Sequence, residues 1–149
     1  MDRFERFSYA ISEISRYWHK IASDELKPYG LKGPYAVYFT ALNRFPEGIT
    51  ASRLGELCSR DKSDVSRAVT LLESKGLIVK ESEGGNLYRA KIRLTEAGKA
   101  IAVHINDRAK LAVNLGGSGL TDDDRETLYR SLEVIVTNLQ KLSRDGLPE

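Results

Sequence analysis

Residues 61–78 read DKSDVSRAVTLLESKGLI. Val65, Ala68, Val69 and Leu72 recur at i, i+3, i+4 and i+7, the spacing of a helix that buries one face. Asp61 stands where a cap belongs, with Asp64 three residues on to return a bond to the exposed amides. Gly76 stands where such a helix ends in a left-handed turn. The other face of the first two turns carries Lys62, Ser63, Ser66 and Arg67. Short polar side chains near a helix start, with a long cation one turn on, are what the DNA major groove admits close to its base edges.

Upstream, GITASRLGELC (residues 48–58) predicts a short helix capped by Thr50, with Leu54, Leu57 and Cys58 on one face. A three-residue connection, SRD, separates it from the opening stretch, so the pair reads as a helix-turn-helix. Downstream, LIVKESEGGNLYRAKIRLT (residues 77–95) holds two β-prone runs around Glu83-Gly84-Gly85-Asn86, a hairpin signal. In the second run Tyr88, Ala90, Ile92 and Leu94 alternate with Arg89, Lys91 and Arg93, giving one apolar and one basic face. That hairpin is expected to be a wing whose cations lie along phosphates. Residues 50–99 contain ten Lys/Arg against seven Asp/Glu in a chain whose net charge is +2, which points weakly to a polyanionic partner.

The flanks have another character. Phe4, Phe7, Ile11, Ile14, Trp18 and Ile21 recur at alternating steps of three and four, the stripe of a helix–helix seam. Pro28 and Gly30 end that helix, and Pro34 suits the first turn of a second over residues 34–44. FPEGIT turns the chain before Thr50. A fifth helix capped by Thr95 carries Ile101, Ile105 and Leu111. NLGGSGL interrupts, and Thr121 with three aspartates opens a last helix bearing Leu128, Leu132, Ile135, Leu139 and Leu142. A first helix this long has no obvious partner within its own chain, so the terminal stripes are expected to cross between two copies.

The segments SRAVTLLESKGLI and IRLTEAGKA, with LKPYGLKGPYAVYFTAL and GITASRLGELC ahead of them, resemble the winged-helix core of MarR-type transcriptional regulators. The resemblance covers nearly the whole chain. It implies a mainly α fold with a small β-hairpin wing, in which residues 1–32 and 100–149 form dimerisation helices and residues 33–99 the winged helix-turn-helix lobe. It further implies a homodimeric DNA-binding repressor or activator, with a repressor expected, often released from DNA by a small aromatic ligand; two-fold symmetry then predicts a near-palindromic duplex operator, and a single cysteine makes the cytoplasm the simplest compartment. Arg53, Lys62, Ser63, Asp64, Ser66, Arg67, Arg89 and Lys91 are the expected DNA contacts. Asp64 caps the helix or accepts from a cytosine amine. Tyr17, His19, Tyr35 and Tyr38 come from the two helices that line the family's ligand pocket. Many members carry an acid and an arginine two apart near the wing tip; here Asn86 and Tyr88 occupy those places, and Arg89 is the nearest replacement.

Other readings are weaker. A winged-helix module that binds a protein, not DNA, would use the same basic surface. No serine–histidine–acid set, phosphate loop or metal cluster falls at usable spacing, so neither an enzyme nor a metal or other cofactor is expected. Cys58 lies beside Leu54 and Leu57 and reads as a small buried hydrophobe. The start MDRFERFSYAI has no signal-peptide core, and no apolar run is long enough to cross a membrane.

Overall fold

A computed structural model describes residues 1–85 and 89–149, with the backbone alone for Glu83. The chain divides into two compact units, residues 1–109 and 110–149.

In the first unit, helix α1 (Arg3–Leu26) opens on a capping box: Asp2 accepts from the Glu5 amide and the Glu5 carboxylate accepts from the Asp2 amide, each at 2.8 Å. Single 3₁₀ turns follow at Lys27–Tyr29 and Gly33–Tyr35, and then α2 (Ala36–Asn43). The second helix is thus shorter than the expected 34–44. Pro34 sits inside a tight turn that packs against α1, where a Cβ on Gly33 would lie 2.4 Å from Ser23 Oγ. Strand β1 (Ile49–Thr50), α3 (Ala51–Cys58) and α4 (Lys62–Ser74) come next, then β2 (Ile78–Glu81), a 3₁₀ turn at Glu83–Gly85, and β3 (Lys91–Leu94).

The sheet has three antiparallel strands in the order β1-β3-β2, not the two of a bare hairpin. Ile49 pairs with Ile92 and Thr50 with Lys91. Two residues show no alternation, so β1 was not visible as a strand; it forms because β3 offers it a free edge. Thr50 nonetheless caps α3 as expected, accepting from the Arg53 amide at 3.2 Å. One core holds the unit together. Phe39 and Leu42 from α2, Leu54 from α3, Leu72 from α4, Ile78 from β2 and Ile92 from β3 are all almost fully buried.

Helix α5 (Glu96–Gly116) starts in the first unit and runs into the second. In the second unit, Thr121 caps α6 (Asp122–Asp145) through a capping box with Asp124. No residue of α6 is buried, and its Leu128, Leu132 and Leu139 are exposed. The stripe of α1 is exposed too, with Phe4 at 73% and Ile14 at 68%. Among the described residues no helix is long and apolar enough to cross a membrane.

Candidate nucleic-acid interface

The interface is built around α4. Asp61 caps it, accepting from the Asp64 amide at 2.8 Å. Its far end closes as a Schellman motif: Gly76, at φ 71°, donates to Glu73 O and Leu77 to Leu72 O, each at 3.0 Å. Val65, Ala68, Val69 and Leu72 are buried. That burial fixes the helix's rotation, so Lys62, Ser63, Ser66 and Arg67 all face solvent. The turn from α3 is tight: Ser59 takes a left-handed conformation at φ 52°, and the Arg60 amide donates to Gly55 O at 2.9 Å.

Two ion pairs revise the sequence reading of this surface. Asp64 was expected to return a bond to the helix start. Its carboxylate instead meets the guanidinium of Arg67, one turn along the same face. The basic face of β3 was expected to be wholly cationic. Arg93 is instead bound by Glu81 of β2, with Nε donating to Oε1 at 3.0 Å. The Arg93 hydrogen bond and charge hold the Glu81 carboxyl below its ordinary value, and Glu81 raises Arg93 in turn. Lys91 lies directly opposite Glu81 and stays exposed, as does Arg89. Arg53 is exposed on α3 and pairs with Glu56 at 3.1 Å. Asn86 and Tyr88 lie outside the described residues.

The four aromatic and histidine positions separate into two places. Tyr35 and Tyr38 meet with ring centroids 6.3 Å apart and line a cleft of about 180 Å³ beside α4, together with Lys32, Arg60, Asp64 and Arg67. Burial, chiefly, pushes the Tyr38 phenol up. Tyr17 and His19 are exposed on α1, Tyr17 beneath the Arg16 guanidinium and His19 paired with the Ser15 hydroxyl.

A larger cavity, about 400 Å³, lies between α1, α2, α3 and α5. Trp18, Ile21, Val37, Leu57 and Ile105 supply apolar wall, and Thr40, Arg44, Asn106 and Arg108 supply polar groups. None of the four aromatic and histidine positions lines it. Cys58 does, half-buried, with Sγ 3.6 Å from Val37 O, and burial raises its thiol above the ordinary value. That environment opposes thiolate chemistry.

Beside the cavity, Glu25 of α1 accepts from Arg108 Nε at 2.8 Å and pairs with His104 Nε2 at 2.9 Å, tying α1 to α5. Those contacts, Arg108's hydrogen bond first, hold the Glu25 carboxyl below its ordinary value. The partners lie 83 and 79 residues away in the chain, a distance no local pattern reports.

Comparison with known proteins agrees with this geometry. The MarR family model matches residues 29–86, from the turn after α1 to the wing. The uncharacterized HTH-type transcriptional regulator YybA of Bacillus subtilis (strain 168) is 26% identical over 131 residues, covering 88% of this chain and 87% of that protein. The crystal structure of a MarR transcriptional regulator from Methanosarcina mazei Go1 has a TM-score of 0.80 at 25% identity, covering 95% of this chain and 94% of that one. A MarR family protein from Listeria monocytogenes, solved in complex with 26mer DNA, has a TM-score of 0.78 at 24% identity, covering 100% and 99%; that likeness is one of fold. An open-fronted α4, a three-stranded sheet and long terminal helices thus coincide with one set of relatives: residues 29–86 match the MarR family model, and the fold is that of MarR-type winged helix-turn-helix proteins.

Proposed function

We propose that the chain is a homodimeric transcriptional regulator that binds a near-palindromic operator in duplex DNA, acts in the cytoplasm and performs no catalysis. The observation that carries this reading is the outer side of α4. Its first two turns present Lys62, Ser63, Ser66 and Arg67 to solvent while the same helix is locked from behind by Val65, Ala68, Val69 and Leu72. A helix held so firmly, with its polar front uncovered, is a rigid reader for the major groove. Lys62, Arg53, Arg89 and Lys91 surround it as phosphate contacts, and Ser63, Asp64, Ser66 and Arg67 face the bases.

Residues 33–99 serve as the DNA-binding lobe, and residues 1–32 and 100–149 join two copies. The exposed stripes on α1 and α6 support that division, since apolar surface of this extent marks an interaction site. Two-fold pairing places half-sites about 10 base pairs apart, or a multiple of that. The cavity of about 400 Å³ suits a small aromatic anion, with rings on the apolar wall and an acid group at Arg44. Tyr35 and Tyr38 belong to the neighbouring cleft and add a second aromatic surface at α4.

Selection from random duplexes, followed by titration of the selected operator across salt concentrations, tests the reading. A two-fold symmetric consensus is expected, with affinity falling steeply as salt rises. Arg67→Ala is expected to lose about 1–3 kcal/mol of discrimination at one base pair per half-site while keeping fold and dimer. An Arg67→Ala variant that selects the parental consensus would overturn the assignment of α4.

A further inference from the structure

We infer that Asp64 is a specificity-determining residue, one that positions the Arg67 guanidinium for a single base pair and withholds it from phosphates. The inference rests on the DNA-binding reading above. Three observations lead to it.

First, the cap of α4 is already supplied. Asp61 accepts the Asp64 amide at 2.8 Å, so the Asp64 carboxylate is not needed at the helix start. It turns along the helix face and binds Arg67.

Second, stability does not account for the pair. The side chains are 41% and 70% exposed for Asp64 and Arg67. An exposed pair three residues apart on a helix contributes little to folding. Against that small gain, a carboxylate on a surface that meets a polyanion weakens every phosphate contact around it. An acid there lowers affinity for all duplexes alike, so its contribution to binding lies in telling duplexes apart.

Third, the surroundings give an unrestrained Arg67 other places to go. The cleft of Tyr35, Tyr38 and Arg60 opens beside it, and the side chain is long enough to sweep toward either strand's backbone. The carboxylate meets one nitrogen of the planar guanidinium, and the Arg67 side chain stays 70% exposed. A fork so held matches the O6 and N7 acceptors of guanine, and its geometry is fixed before DNA arrives. Asp64 keeps acceptor capacity that suits an amino group on an adjacent cytosine or adenine.

The test is selection from random duplexes by the full-length dimer, comparing parent, Asp64→Ala, Asp64→Asn, Arg67→Ala and the double variant, with thermal melts to establish folding. The parent is expected to select guanine at one position of each half-site. Asp64→Ala is expected to weaken that preference about tenfold while binding unselected duplex more tightly than the parent does. Asp64→Asn, which keeps an acceptor but loses the charge, should fall between them. The double variant should show no further loss at that position beyond Arg67→Ala. If Asp64→Ala changes affinity by one common factor for all sequences and leaves the guanine preference intact, the positioning role is overturned while the DNA-binding reading stands. If the parent selects no sequence at all, both fall together.

Discussion

The Thr95 hydroxyl donates to Gly76 O at 2.7 Å and accepts from the Gly98 amide at 3.2 Å, so one side chain joins the residue that ends α4 to the first turn of α5. The Thr95 amide adds a bond to Leu77 O at 3.0 Å. The approach is close enough that a Cβ on Gly98 would lie 2.0 Å from Leu77 O. Thr95→Val removes both hydroxyl bonds and is expected to cost about 1–2 kcal/mol of unfolding free energy. Gly98→Ala meets rigid backbone and is expected to cost about 1–3 kcal/mol, whereas Gly116→Ala, with open space around it, serves as the harmless control. Urea unfolding at one protein concentration checks all three.

On the wing, cations that look alike in sequence are expected to differ in effect. Lys91→Ala and Arg89→Ala should each weaken binding evenly across sequences and reduce the salt slope by about 1 per contact. Arg93→Ala should change the slope little, because Glu81 already neutralises Arg93. Titrations of one operator at several salt concentrations separate the two classes. Equal losses from Lys91 and Arg93 would contradict the pairing.

Glu25 makes the first unit sensitive to acid. Its carboxyl is held below the ordinary 4.5 in the folded chain, mainly by the Arg108 hydrogen bond. A depressed folded value adds stability that is present above the unfolded value and is lost as pH falls through the folded one. Glu25→Gln is therefore expected to be less stable than the parent near neutrality, by no more than about 1 kcal/mol because the group is partly exposed. That difference should close as pH falls below about 4.5. Unfolding midpoints of both proteins across that window provide the check.

Replacing Phe7 on α1 or Leu132 on α6 with glutamate places a charge in an exposed apolar stripe. Either change is expected to convert dimer to monomer at micromolar concentrations, as measured by light scattering on a sizing column. Helical content should hold, since neither side chain belongs to the buried core. A parent chain that is already monomeric would remove the basis for a two-fold operator.

Much of this architecture could be read directly from residue spacing. The period of Val65, Ala68, Val69 and Leu72 located α4, and Asp61 and Gly76 marked its ends, because caps and helical periodicity are local and repeat over several turns. β1 escaped notice because Ile49 and Thr50 are too few to alternate, and a strand that short exists only through its neighbour. The ion pairs Asp64–Arg67 and Glu81–Arg93 altered the charge map for a related reason. Asp64 had a plausible local role as a helix cap, and Glu81 meets Arg93 only once β2 and β3 pair. The Glu25, His104 and Arg108 cluster, like the cavity it borders, is assembled from segments far apart in the chain.

At Gly33 the chain packs close against α1, and a single added carbon would collide with the Ser23 hydroxyl and approach the Ser23 amide nitrogen to 3.1 Å. A larger residue at position 33 would therefore have to displace the Ser23 side chain or push the tight turn that precedes α2 away from α1.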